Sequence, residues 1–361
     1  MSRGAPVDVD VEIDSGPGKG PLLDVRDLRV HFDHGGRRIC AVNGLSYALT
    51  VGRTLALIGE SGSGKTVSSR AVMGLLPPTA TASGSVRFQG QELLGLSDKA
   101  MRRHRGADIA MVFQDPSRSL NPTMRIGAQV AEAVRTHARV DRAGARDRAL
   151  ALLKLVRLPS PQQRLQEYPH QLSGGMRQRV VIAIALASKP RLLIADEATT
   201  ALDVTTQAQI MELLRDLQRE LGMALVMISH DLGLAASFAD EVVVMYAGRA
   251  VERAPTRELF AHVRMPYTKA LLDAIPRVER PPHTPLPVVA GRPPDLAALP
   301  PGCPFAPRCP KAQDMCRQTA PPLEEGSPGH SWACWLPCED AASTPPVAPG
   351  AQPPEGEAPW A

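Results

Sequence analysis

The sequence predicts an α/β fold. Its centre is a mostly parallel, buried sheet with helices on both faces, joined by an antiparallel β portion, a helical insert and a small C-terminal cysteine-containing lobe. Three observations predict it. Short apolar runs at 55–58, 191–195 and 224–228 alternate with segments that are apolar at helical spacing. A glycine-rich loop at 59–64 joins one of these runs directly to a helix. Beyond residue 280 the chain changes character, because 281–361 hold 21 of the 35 prolines and five of the six cysteines.

The elements follow in order. Residues 1–22 read as a flexible leader, acidic and without the basic and apolar regions of an export signal. Val25, Leu28, Val30 and Phe32 mark a first strand over 23–32. The turn DHGGRR at 33–38 leads to a second strand near 40–48. Leu55 to Ile58 suit a buried strand, and Val67, Ala71, Val72 and Leu75 lie at helical spacing after the loop. Strands are predicted at 86–88 and 110–113. Ala145, Ala149, Leu152, Leu153 and Val156 then share one face of a helix within the insert. Ile210, Leu213, Leu214, Leu217 and Leu221 form another apolar face, and Gly222 stops that helix. The run 241–252 reads as strand, turn at Gly248, strand.

Composition narrows the function classes. The chain of 361 residues is 43% apolar, enough for a sizeable core, and its 4% aromatic content makes that core aliphatic. A net charge of +4 spread over this surface does not point to nucleic acid. No stretch reaches the roughly 20 apolar residues of a spanning helix. The protein is therefore expected to stay in the cytosol, with any membrane attachment made through a partner.

Gly59-Glu60-Ser61-Gly62-Ser63-Gly64-Lys65-Thr66 matches G-x-x-x-x-G-K-[ST], after a strand and opening a helix. Glycines let successive amides wrap a phosphate, and the helix N-terminus adds partial positive charge. Lys65 is placed to meet β and γ phosphates, and Thr66 to offer a hydroxyl to Mg²⁺. The core is thus expected to be that of a P-loop NTPase. Asp196 and Glu197 end an apolar run, which puts Asp196 near that metal and leaves Glu197 free to orient or deprotonate water. His230 and Gln114 end two other strand candidates and would share the same edge, although each alone could be an ordinary strand-end residue.

Leu172-Ser173-Gly174-Gly175-Met176 resembles the signature motif of ATP-binding cassette ATPases. The resemblance runs from residue 23 to about 260 with the motifs in the family's order. It implies that Ser173, Gly174 and Gly175 face the γ-phosphate held by another cassette, and that Phe32 stacks on adenine. It further implies that Gln114 links nucleotide state to a membrane subunit and touches Mg²⁺, that Asp203 communicates across the dimer, and that His230 is the switch histidine. YPHQLSGGMRQRV at 168–180, TTALDVTTQAQI at 199–210, MYAGRAVE at 245–252 and GCPFAPRCP at 302–310 resemble the oligopeptide and dipeptide importer branch. Met176 stands where the wider family has glutamine, and Ala198 where proline commonly follows the glutamate.

This resemblance implies a cassette domain over 23–268 with a helical subdomain at about 116–172, an importer-type extension over 269–340 and a disordered tail over 341–361. It also implies a peripheral place on the cytoplasmic face of the membrane, beside a second and related cassette, two transmembrane permease subunits and an extracytoplasmic solute-binding protein. Nickel or another solute, or a soluble cassette ATPase acting in repair or translation, are the competing functions. Cys303, Cys309, Cys316 and Cys334, separated by five, six and seventeen residues, suit zinc or an iron–sulfur cluster. Importer extensions can carry a four-iron, four-sulfur (4Fe-4S) cluster, which the resemblance favours over zinc; reduced, packed thiols are the alternative.

Overall fold

The computed structural model describes residues 20–200, 202–275 and 288–339. Most of the expected leader, Ala201 and the expected tail lie outside the described residues. Twelve strands are described: β1 (Leu23–His34), β2 (Arg37–Leu49), β3 (Thr54–Ile58), β4 (Ala80–Phe88), β5 (Gln91–Glu92), β6 (Ile109–Val112), β7 (Leu192–Asp196), β8 (Ala224–Ser229), β9 (Glu241–Tyr246), β10 (Arg249–Pro255), β11 (Glu324–Ser327) and β12 (His330–Trp332).

The central sheet runs β11-β12-β10-β9-β3-β8-β7-β6. Its stretch β9-β3-β8-β7-β6 is parallel, whereas β10, β12 and β11 add on as antiparallel strands. Alternation fixes its two faces. Ala56 and Ile58 of β3, Leu225 and Met227 of β8, and Val242 and Val244 of β9 join one core. Their neighbours Leu55, Leu57, Val226, Ile228, Val243 and Met245 join the other. Both faces are buried, so these strands read as continuous apolar runs.

The two covers differ from the expectation of helices on both faces. One face carries helices, among them Gly174–Ala185 and Val204–Leu221. The other is covered by the helix Lys65–Val72 and by an antiparallel sheet of order β2-β1-β4-β5. The coarse architecture is therefore α/β with an antiparallel portion, as the sequence predicts. Between β6 and β7 lies the helical insert, with helices Ile126–His137 and Arg142–Leu155. Ala145, Ala149 and Leu153 are buried there, on the face that the 3.6-residue period selects.

The cysteine-bearing segment is continuous with this body. The β11–β12 hairpin extends the central sheet by pairing Glu252 with Trp332 and Arg253 with Ser331. Phe305 lies in the same core, its ring 5.3 Å from both Tyr246 and Tyr267. Among the described residues no helix is long and apolar enough to cross a membrane.

Candidate active site

The C-terminal ends of four parallel strands meet at one cleft. β3 delivers the loop 59–64, β6 leads to Gln114, β7 ends in Asp196 with Glu197 just beyond it, and β8 leads to His230. Glu60, Ser61, Gly62, Gly64, Lys65, Thr66, Gln114, Glu197 and His230 all line this cleft. Ligands bind at such an edge because strand ends and helix starts present their free backbone groups there.

Glycine is required at two loop positions. Gly59 has φ 155° and Gly64 φ 99°. A Cβ at Gly59 would run into the Met245 carbonyl, and one at Gly64 into the Ala41 carbonyl. Lys65 is only 3% exposed, and its Nζ donates to the carbonyls of Gly59 at 2.7 Å and Glu60 at 2.9 Å. Burial depresses its pKa, against the pull of Glu197, Asp196 and Glu60. The ammonium is thus held at the loop by neutral acceptors that a phosphate can replace.

Thr66 Oγ1 donates to Asp196 Oδ1 at 2.9 Å. Asp196 is buried, and desolvation raises its pKa; the Thr66 bond opposes the rise and the neighbouring Glu197 charge adds to it. These two hard oxygens fit Mg²⁺, which takes one or two protein ligands and completes its octahedron with waters and substrate phosphates. Glu197 faces elsewhere. Its Oε2 accepts from Gln114 Nε2 at 2.8 Å and Thr200 Oγ1 at 3.3 Å, and lies 3.9 Å from His230 Nδ1. The structure brings Gln114, Glu197 and His230 together around one carboxylate oxygen.

Other sequence-predicted residues lie apart. Phe32 sits half-buried near the end of β1, paired with Ile39 and Ala80, and is not among the residues that line the cleft. Ser173 caps the helix Gly174–Ala185, its side chain accepting from the Met176 amide at 3.3 Å. Gly175 lies against Thr206 so closely that a Cβ would meet the threonine methyl. Asp203 caps the helix Val204–Leu221, and the Thr206 amide and hydroxyl hold its carboxyl below the usual range. Ser173, Gly174, Gly175 and Asp203 do not line this chain's own cleft.

The sequence reading missed two residues beside the loop. Tyr267 Oη accepts from the Glu60 amide at 2.9 Å, and Arg308 grips the Glu60 carboxylate with two bonds of 2.6 and 2.9 Å. Arg308 stands within GCPFAPRCP, but nothing in that string signals a partner 248 positions away.

The expected cysteine cluster is corrected. Cys303, Cys309, Cys316 and Cys334 border one small pocket, closed by Phe305, Met265 and Leu336. Among the described residues, however, no group of three or more His, Cys, Asp or Glu is arranged to hold a metal ion. Neither the 4Fe-4S cluster nor zinc is supported. The physical reason is apolar packing: the sulfurs sit among Phe305, Met265 and Leu336, and burial pushes the Cys303 and Cys309 thiols up and Cys334 up to about 12. All four are free cysteines.

Residues 42–200 match the family model described as ABC transporter, and residues 251–316 match the one described as oligopeptide/dipeptide transporter, C-terminal region. The chain is 51% identical over 315 residues to the oligopeptide transport ATP-binding protein OppD of Mycobacterium tuberculosis, an alignment covering 87% of this chain and 52% of that protein. It thus spans about half the length of that relative. It is 48% identical to OppD of Escherichia coli, over 88% of this chain and 94% of that one. It is 47% identical to the dipeptide transport ATP-binding protein DppD of Bacillus subtilis, over 87% and 94%. Among solved structures it resembles a dimeric ATP-binding cassette in a post-hydrolysis state bound to ADP and Pi. That match has a TM-score of 0.59 and 29% identity, over 65% of this chain and 99% of that one.

Proposed function

The chain belongs to the ABC transporter family, among the ATP-binding proteins of the oligopeptide/dipeptide branch, and on that premise we propose that it hydrolyses ATP to energise peptide import. The observation that carries the proposal is the convergence of Lys65, Thr66, Asp196, Glu197, Gln114 and His230 at one strand edge beside a glycine loop. The similarity to oligopeptide and dipeptide transport proteins supports the choice of solute.

In the proposed reaction the loop amides and Lys65 hold the β and γ phosphates of ATP. Thr66 and Asp196 would hold Mg²⁺, which when bound neutralises charge on those phosphates. Glu197 orients a water for in-line attack and accepts its proton. The bond from the γ-phosphorus to the bridging oxygen breaks, leaving ADP and phosphate. Gln114 holds the Glu197 carboxylate in place, His230 lies 3.9 Å from the same oxygen, and both reach toward the same water.

A second cassette completes each site. The Ser173-Gly174-Gly175 turn opens a helix away from this chain's cleft, so its free amides can serve a phosphate held by another subunit. That the similar solved cassette is dimeric supports this arrangement. Asp203 would face the same junction and Phe32 would take the adenine. We propose a related chain as the second cassette, two permease subunits docking near Gln114 and the helical subdomain, and a solute-binding protein outside. The cassette domain would span 23–268 and the importer-type extension 269–340, all at the cytoplasmic face of the membrane.

Glu197→Gln tests the mechanism. It should keep ATP binding and lower turnover at least about 100-fold, the usual scale of general-base catalysis, while stabilising a closed dimer. Turnover near the unaltered rate would remove Glu197 from its role.

A further inference from the structure

Glu60 is held on three sides. Its carbonyl accepts from Lys65, its amide donates to Tyr267 and its carboxylate is clamped by Arg308. The clamp is two-pronged, the geometry in which guanidinium and carboxylate match best. Its side chains are 5% and 24% exposed, so solvent screens it far less than a surface pair. Arg308 is itself fixed: Nε donates to the Ala290 carbonyl at 2.6 Å and Nη2 to the Val289 carbonyl at 3.2 Å, while the guanidinium lies 5.9 Å from the ring centres of Tyr246 and Phe305. Leu271, Pro293 and Leu296 complete the wall of the same cleft.

This arrangement has an electrostatic consequence. An unpaired Glu60 carboxylate beside the loop would compete with a nucleotide for Lys65 and repel its phosphates. We infer that Arg308 is a positioning residue for the phosphate loop: by neutralising and fixing Glu60 it reserves Lys65 for the nucleotide, so that the C-terminal segment sets ATP affinity. The inference rests on the ATPase reading above. It requires no contact between Arg308 and the nucleotide.

The charge argument gives two substitutions opposite signs. In the full-length chain, MgATP affinity is read by displacement of a fluorescent ATP analogue. Arg308→Ala should weaken binding about tenfold, equivalent to about 1.4 kcal/mol. Glu60→Gln keeps a hydrogen bond to Arg308 but removes the competing charge, so its binding should be equal to or tighter than that of the unaltered chain. The double variant should return to within about threefold of it. In the assembled transporter, Arg308→Ala should raise KM more than it lowers kcat. A merely structural clamp predicts that both single variants weaken binding alike, and that result overturns the inference. An Arg308→Ala constant within twofold of the unaltered chain also overturns it and leaves the ATPase reading intact. No nucleotide binding by the unaltered chain removes both. Should Arg308→Ala fail to fold, Glu60→Gln alone decides: weakening beyond threefold refutes the charge argument, and unchanged or tighter binding supports it.

Discussion

Phe305→Ala is the sharpest test of whether residues 288–339 fold as one body with the nucleotide-binding core. Phe305 is 1% exposed and meets Tyr246 and Tyr267 with ring centres 5.3 Å away. An aromatic side chain buries about 150–250 Å², which at about 25 cal/mol per Å² is roughly 4–6 kcal/mol, an upper bound because the unfolded chain already hides some of that surface. Truncations of buried phenylalanine cost about 3–5 kcal/mol. A loss of about 4 kcal/mol is therefore expected.

Urea unfolding followed by circular dichroism reads it. With a slope of roughly 3 kcal/mol per molar, the midpoint should fall by about 1.3 M in one cooperative transition. Val288, at 79% exposed, supplies the control: Val288→Ala should stay within about 0.5 kcal/mol. A separate early transition, with the main midpoint unmoved, would show that the C-terminal segment folds on its own and would refute the shared core.

Three further outcomes follow from the cleft. Lys65→Ala should weaken ATP binding at least about tenfold, because hydrogen bonds to a charged donor are worth about 1.5–3 kcal/mol; unchanged affinity in the displacement assay would contradict the role given to it. Asp196→Asn should stabilise the nucleotide-free protein at neutral pH while abolishing hydrolysis, read by thermal melts and phosphate release. Desolvation raises the native pKa of Asp196, so between the unfolded and folded values the native state binds more protons and stability rises as pH falls. The variant should flatten that part of the pH–stability curve, and an unchanged curve would remove Asp196 as its source.

What the sequence made legible was local. The loop 59–66, the strand ends at Asp196 and Ser229 and the helix stop at Gly222, with φ 63°, carry their conformation in adjacent residues. Glycine position and apolar period report it directly. The second face of the sheet was not legible: β1 and β2 form a local hairpin, but β4 joins β1 from about 50–65 residues away, and the alternation of these strands alone does not say what they cover. Arg308 was hidden for the same reason: its partner lies across the chain, and a guanidinium among prolines and cysteines reads as a surface charge. Four cysteines at irregular spacing suggested a metal, but spacing cannot distinguish thiols gathered to bind one from thiols gathered by packing on Phe305 and Leu336.

The two consecutive carboxylates depend on one backbone angle. Glu197 has φ 48°, in the left-handed region that costs a non-glycine residue about 1–3 kcal/mol. That conformation turns the chain at the end of β7, so Asp196 remains buried against Thr66 while Glu197 points to Gln114 and Thr200. An extended residue there would continue the strand and carry its carboxylate to the opposite face. The Glu197 amide donates to the Ile228 carbonyl at 3.0 Å, and its carbonyl accepts from the Thr200 amide at 3.2 Å. With both backbone groups tied, the turn holds although Ala198 replaces the proline common in the family. Strain at this position is thus what separates the oxygen suited to a metal from the oxygen suited to a proton.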